Sequence, residues 1–282
     1  MWTGGEDGQP WLSAFALIAA VGASLLLFHA GGAPSAYSLV NAATLALALI
    51  VMVASRRLHL ATRGATWVVG LGLSGICITL ISGVDVEGVR RWIPLGPVRL
   101  HAAMLLLPAV LAALPCLPDR WRLACVALAA AVFVWQPDPA AALTLAFGCL
   151  LAEWRNRRSA VAMILVAASV AGVIAAAARA VPLAPVPFVE SVLAQGFKLH
   201  AALGMALAAA LLFAVFAPLL DNADRANTAA VSVSGGWLGF SIASVAGPYP
   251  TPLVGYGAAA ILGYGLATAV LRATGQFRVG SD

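Results

Sequence analysis

The residues that could do chemistry in this sequence stand in four short polar segments between long apolar runs. In the first segment, Arg90 and Arg91 precede Trp92. An arginine can hold phosphate oxygens in a bidentate fork, so Arg91 with Trp92 forms a candidate site for an anionic group such as a pyrophosphate. The alternative is an interfacial anchor, in which Trp92 lies in the aromatic belt of a membrane and the charges are solvated.

The second segment is Gln136-Pro137-Asp138, which separates two short apolar runs. Broken backbone at membrane depth is tolerated where it lines a cavity, and this makes Gln136 and Asp138 candidate binding residues. Asp followed by Pro is also a common helix start, so Asp138 could simply cap the N-terminus of the next helix.

The two remaining segments lie near the C-terminal half of the chain. Segment 179–198 contains Glu190 as its single acid, and a lone glutamate in a loop is usually just solvated. Segment 247–257 contains three prolines and three glycines and ends with Tyr256 and Gly257, so it cannot form a continuous helix. It is either a cavity-lining turn at membrane depth or an ordinary outer turn before a small-residue packing face.

Metal and nucleic-acid chemistry find little support in the residue spacing. The histidines are scattered without an i, i+4 pair, the four cysteines show no Cys-x-x-Cys spacing, and no phosphate-binding glycine loop is present. We therefore predict no metal site and identify no cofactor. The basic residues stand in short clusters rather than on a continuous face, which argues against nucleic acid as a partner.

The elements that position these segments are membrane helices. Hydrophobic residues make up 62% of the 282 residues and charged residues only 10%, too little charge for a soluble domain. A bilayer core of about 30 Å requires about 20 apolar residues per helix. The sequence predicts an all-α polytopic membrane protein with a single membrane domain, residues 1–282. Its ten predicted spans are 11–29, 37–54, 66–83, 100–117, 123–135, 139–152, 159–178, 199–218, 229–246 and 252–271.

The distribution of basic residues predicts the orientation. With both termini in the cytoplasm, the inner loops and tail hold eleven of the 16 basic residues, as the positive-inside rule favours. The outer loops then lie near 84–99, 136–138, 179–198 and 247–252, so all four polar segments face the same side of the membrane.

Three of these segments, in this order, resemble the SEDS family of cell-wall membrane proteins, which includes FtsW, RodA and SpoVE. Residues 91–96, Arg-Trp-Ile-Pro-Leu-Gly, resemble its Arg-Trp-Ile-x-Leu-Gly stretch, and residues 136–138 resemble its Gln-Pro-Asp turn. Residues 250–257 resemble its late Leu-Pro-Phe-x-Ser-Tyr-Gly-Gly motif. Ten spans with both ends inside also fit that family.

The resemblance implies a role in peptidoglycan synthesis, cell division or cell shape in the bacterial inner membrane. SEDS proteins polymerise lipid II into glycan strands, usually beside a class B penicillin-binding protein. The resemblance thus implies lipid II as a substrate. Its implied binding residues are Arg91, Trp92, Gln136, Asp138, Tyr256 and Gly257.

The departures from the family pattern concern charged residues. Where the family has Gln-Pro-Ser-Glu and then Lys, this sequence has His-Ala-Ala-Met at 101–104 and Leu107. Pro187 stands where the family has its catalytic Asp, next to Phe188. Polymerisation needs a base for the attacking sugar hydroxyl, and Glu190, three residues on, is the candidate catalytic residue that could substitute.

Two functions therefore stay open at the level of sequence. The chain is either a SEDS-like glycosyltransferase, active or catalytically degenerate, or a non-catalytic protein that binds a lipid-linked precursor or a penicillin-binding protein as a scaffold. A secondary transporter would predict inverted repeats and a charged midplane site, and neither is visible. The sequence does not distinguish division from elongation, name the protein partner or give the oligomeric state.

Overall fold

The fold is a bundle of α-helices with one small sheet. It is described by a computed structural model that covers residues 11–96, 98–154, 158–181, 183–222 and 227–275. The first six helices are α1 (Trp11–Gly31), α2 (Ser35–Ala54), α3 (Thr62–Ser82), α4 (Ala102–Ala113), α5 (Asp119–Trp135) and α6 (Pro139–Glu153). The others are α7 (Ala160–Ala178), α8 (Val192–Leu199), α9 (Ala201–Asp221), α10 (Thr228–Ala246) and α11 (Ala258–Gly275).

Each predicted span coincides with a helix, and α8 is an additional short helix inside the long outer segment. Six helices are long and apolar enough to cross a membrane, namely α1, α2, α3, α7, α9 and α10. Apolar but shorter helices occupy 102–116, 139–153 and 258–274. The chain is thus a helical, multi-pass membrane protein by its fold, while ten crossings and cytoplasmic termini stay predictions.

The all-α prediction fails in one place, the outer segment 84–101. It forms a three-stranded antiparallel sheet of β1 (Val84–Val86), β2 (Val89–Leu95) and β3 (Val98–His101) in the order β1-β2-β3. Glu87 and Gly88 both have positive φ, as a two-residue hairpin turn of the type matched to strand twist requires. The alternation in β2 points Arg90 outward and Arg91 inward.

Small residues allow the helices around the polar segments to approach closely. α10 packs on α6 at Gly239, where an added Cβ would lie 2.6 Å from Cα of Thr144. α11 packs on α4 at Gly263, where an added Cβ would overlap the carbonyl oxygen of Met104. The backbones therefore approach one another as in small-residue membrane helix interfaces.

Candidate functional site

The first cluster joins three elements at one end of the bundle, the end that the sequence predicts to face outward. Arg91 comes from β2, His101 from the junction of β3 and α4, and Asp138 from the turn between α5 and α6. Arg91 Nη1 lies 3.6 Å from Asp138 Oδ1, and His101 Nε2 lies 3.2 Å from Asp138 Oδ2. Asp138 is completely buried, and Arg91 and His101 are each 5% exposed. The structure thus brings together Arg91 and Asp138, two of the candidate binding residues predicted from the sequence.

Asp138 caps a helix and also faces the charged residues of the cluster, so it combines the two alternatives that the sequence left open. Its Oδ1 accepts a hydrogen bond from the Ala141 N–H at 3.1 Å, so it caps α6. Burial alone would raise the pKa of Asp138, but His101, Arg91 and the Ala141 N–H together lower it to about 2. Asp138 is therefore an ionised anchor for Arg91 and not a proton acceptor at neutral pH.

His101 is a residue that the sequence reasoning did not single out as functional. Its Nδ1 accepts a hydrogen bond from the Met104 N–H at 3.3 Å, which caps α4. That acceptor role assigns the proton to Nε2, which faces Asp138. The signal available in sequence was the position of His101 five residues after Gly96, directly before an apolar helix. Met104 and Leu107, which replace the family's charged residues, are buried in the hydrophobic core.

Arg91 keeps an unused hydrogen-bond donor. Its guanidinium lies 4.7 Å from the ring centroid of Trp92, in a cation–π arrangement. Trp92 also meets the His101 ring edge to face at 6.2 Å. Among the described residues, Arg91 Nε finds no acceptor although it is buried.

The second part of the site is the outer segment before α8, which docks on the segment before α11. The Tyr256 N–H donates to the Phe188 carbonyl at 2.6 Å, and the Thr251 N–H donates to the Val189 carbonyl at 2.8 Å. Glu190 forms an antiparallel bridge with Pro250. Two polar segments that are far apart in the sequence are thus parts of one surface.

Gly255 shows why this docking departs from the Ser-Tyr-Gly-Gly pattern. An added Cβ at Gly255 would lie 2.9 Å from the Thr251 carbonyl oxygen and 3.2 Å from those of Phe188 and Val189. A serine would press its Cβ against three backbone oxygens, so the docked arrangement requires glycine at this position.

Glu190 is half-buried and within electrostatic reach of Arg91. Burial raises the pKa of Glu190, while backbone hydrogen bonds and the positive charge of Arg91 act in the opposite direction. Its carboxylate accepts the Val186 N–H, and Gln195 Nε2 donates to its carbonyl at 2.8 Å. Glu190 is thus a second carboxylate on which the charge of Arg91 acts.

Tyr249 belongs to the same neighbourhood and was not singled out by the sequence reasoning. Burial raises the pKa of its hydroxyl, the charge of Asp138 raises it further, and the charge of Arg91 opposes both. Its position in the proline-rich segment 247–257 was the available signal.

Tyr256 and Gly257 lie in a separate cluster built on α2. The Tyr256 ring stacks on Tyr37 with centroids 3.8 Å apart, and Phe188 meets Tyr37 edge to face at 6.4 Å. The Gly257 N–H donates to Asn41 Oδ1 at 3.2 Å. Their contacts hold the docked segments in place, and their binding of substrate stays a prediction.

Gln136 connects helices. Its Nε2 donates to the Thr79 hydroxyl at 2.7 Å and to the Ile76 carbonyl at 3.1 Å, so it ties the α5–α6 turn to α3. A role of Gln136 in substrate binding is likewise a prediction. No group of three His, Cys, Asp or Glu side chains suited to a metal ion occurs in the described ranges.

Neither a protein-family model nor a curated protein matches the sequence. Solved structures do match. A crystal structure of the rod shape-determining protein RodA of Thermus thermophilus, as an aspartate-to-alanine mutant, has a TM-score of 0.65 and 22% identity. That match covers 96% of this chain and 98% of RodA. The unmutated RodA matches with a TM-score of 0.63, at the same identity and coverage.

A third structure, described as showing how a peptidoglycan synthase complex coordinates polymerization and crosslinking, has a TM-score of 0.66 and 18% identity, with 100% of both chains covered. At these identities the likeness shows the fold. This chain therefore has a fold similar to that of RodA over nearly its whole length.

Proposed function

We propose that this chain is a SEDS-like protein of the bacterial inner membrane that handles lipid II in peptidoglycan synthesis. The observation that carries the proposal is the buried Arg91 with two carboxylates near it, Asp138 and Glu190, at the outer end of a RodA-like fold. A lipid-linked pyrophosphate is an anion that a membrane protein with an arginine near the predicted outer surface is suited to bind.

The two carboxylates have different roles in this proposal. Asp138, with a pKa of about 2, stays ionised and holds Arg91 in place. Glu190, whose pKa is raised by burial, is the better proton acceptor near neutral pH. Glu190 thus takes the place of the acid that is absent at Pro187.

The proposed reaction is glycosyl transfer between two lipid-linked saccharides. A sugar hydroxyl of one lipid II attacks the anomeric carbon of the other, a new C–O bond forms, and the bond from that carbon to the pyrophosphate oxygen breaks. Glu190 accepts the proton of the attacking hydroxyl. The leaving polyprenyl pyrophosphate keeps the electron pair, and Arg91 stabilises its developing charge.

A second candidate function is binding without chemistry. It is favoured by the Glu190 carboxylate, whose hydrogen bond from Val186 lies within its own loop. In that case the chain would present a lipid-linked precursor or serve as a scaffold. A class B penicillin-binding protein is the proposed partner in both cases, since one structural neighbour comes from a peptidoglycan synthase complex.

The test is polymerisation of labelled lipid II by the protein in lipid vesicles, with and without a class B penicillin-binding protein. We expect glycan strands from the unsubstituted chain and none from Glu190→Gln, with Glu87→Gln on the exposed hairpin turn as the matched control. Because Glu190 must be deprotonated to act, the rate should rise as pH rises through its elevated pKa.

The outcomes separate the two functions. Strands that persist in Glu190→Gln would exclude Glu190 as the base. An absence of strands with any partner, together with saturable lipid II binding that Arg91→Lys weakens, would support the non-catalytic function. If lipid II does not bind at all, the cell-wall proposal is wrong.

A further inference from the structure

A narrow apolar groove lies between α1 and α2, away from the candidate site. It has a volume of about 250 Å³, and the atoms that line it are apolar. α1 lines it with Trp11, Phe15 and Ile18, and α2 lines it with Leu49, Met52 and Val53. Arg56, in the turn directly after α2, lines one end. On each helix these residues recur at three- and four-residue steps, so each helix offers one face over two turns.

The groove opens at the end of the helix pair that is remote from its connecting turn. α1 ends at Gly31 and α2 begins at Ser35, so the two helices are joined tightly at one end. The groove lies at the other end, between the start of α1 and the end of α2. Over two turns it is about 10 Å long, whereas a membrane-spanning helix of a partner needs about 30 Å of contact surface.

The side chain of Arg56 lies at the open end of the groove. The Arg56 guanidinium lies 5.0 Å from the ring centroid of Trp11 and, among the described residues, forms no ion pair and no hydrogen bond. A guanidinium stacked on an aromatic ring keeps its in-plane N–H donors free for phosphate oxygens. The nearby carboxylate of Asp221 accepts the N–H groups of Leu12 and Ser13, so it is occupied in capping α1.

We infer that this groove binds one anionic phospholipid, with an acyl chain between α1 and α2 and the phosphate at Arg56. The apolar wall suits a hydrocarbon chain, and the guanidinium of Arg56 at its end suits the phosphate of the headgroup. In the predicted orientation this end faces the cytoplasmic leaflet, where anionic lipids attract basic residues. The inference holds whether or not the chain handles lipid II.

The experiment is native mass spectrometry of the purified protein with equal amounts of dioleoyl phosphatidylglycerol and dioleoyl phosphatidylcholine. We expect one retained phosphatidylglycerol, favoured about fivefold, as one basic residue near a phosphate can provide. Arg56→Gln should abolish this preference. Arg57→Gln is the matched control, since it removes the same charge from the next, exposed residue outside the groove.

A second pair of variants tests the groove itself. Val53→Trp fills it, while Ile50→Trp adds the same ring to an exposed position of α2 that does not line it. We expect Val53→Trp to lose the retained lipid and Ile50→Trp to keep it, at unchanged melting temperature in detergent. The inference is overturned if the wild type shows no anionic preference. It is also overturned if Arg57→Gln acts like Arg56→Gln, or if Val53→Trp folds and still retains the lipid.

Discussion

At the scale of single residues, the site depends on charges that are buried together. Asp138 both caps α6 and faces Arg91. Ser or Asn could also cap α6 from this position, but only an acid can also supply a negative charge to Arg91. Arg91 in turn is buried only because Asp138 supplies a counter-charge. An unpaired guanidinium at that depth would be far more costly than the pair.

The variant Asp138→Asn keeps the capping oxygen and removes the counter-charge. We expect it to lower the free energy of unfolding by about 3–5 kcal/mol, because Arg91 is left buried without a partner. Thermal unfolding in detergent measures this loss. Asp85→Asn is the control, since the Asp85–Arg90 ion pair lies at the exposed hairpin and should contribute little. Similar shifts for both variants would contradict the buried-pair argument.

The pH dependence of stability follows from the same pair. The pKa of Asp138 is lowered from 3.8 to about 2, so the ionised form stabilises the fold above the unfolded value of 3.8. This contribution should be lost as pH falls from about 4 towards 2, and Asp138→Asn should lack it.

At the scale of elements, two irregular segments fold against each other and position Glu190. The segment before α11 is held by hydrogen bonds to Asn41 of α2, a residue that is completely buried. Asn41 Nδ2 donates to the Gly255 carbonyl at 3.0 Å, and its Oδ1 accepts the Gly257 N–H. The outer segment with Glu190 then docks on this fixed segment. Asn41 thus holds the segment before α11, and this segment in turn positions the loop that contains Glu190.

The variant Asn41→Ala should release this arrangement. It leaves a backbone carbonyl and an N–H without partners, at a cost of about 1–3 kcal/mol for each buried group. We expect faster hydrogen exchange at 250–257 and at 188–190. The control is Ser38→Ala, one turn earlier on α2. If exchange accelerates equally in both variants, Asn41 does not hold the segment.

At the scale of the whole molecule, the predicted topology places all four polar segments on one side of the membrane. The fold is consistent with that arrangement, since Arg91, Asp138, Glu190 and Pro250 belong to one neighbourhood. Their side chains therefore act at the same end of the bundle. The end with Arg56 is the opposite one, because α2 runs from the cluster at Tyr37 to Ala54, two residues before Arg56.

The orientation is testable by thiol labelling of single cysteines, after replacement of the four native cysteines. We expect Glu87→Cys, on the hairpin turn, to react with a membrane-impermeant reagent in intact cells. Arg57→Cys should react only after the membrane is permeabilised. Labelling of both in intact cells, or the reverse pattern, would contradict cytoplasmic termini and the positive-inside argument.

Local signals in the sequence were sufficient to predict the apolar spans, the breaks between them and the candidate charged residues. Pro137 and Asp138 marked the boundary between α5 and α6 because proline ends a helix and aspartate begins one, and both effects are local. The strands at 84–101 were missed because a short polar hairpin between apolar runs carries a weak periodic signal.

Which of these residues contact one another follows from the packing of the helices and loops and not from local sequence. Arg91, His101 and Asp138 come from three elements, and their contact depends on how α4 packs against its neighbours. Glu190 reaches the Arg91 neighbourhood because its segment docks on Pro250, which requires glycine at 255. Such contacts join distant parts of the chain, and no local propensity or hydrophobic period encodes them.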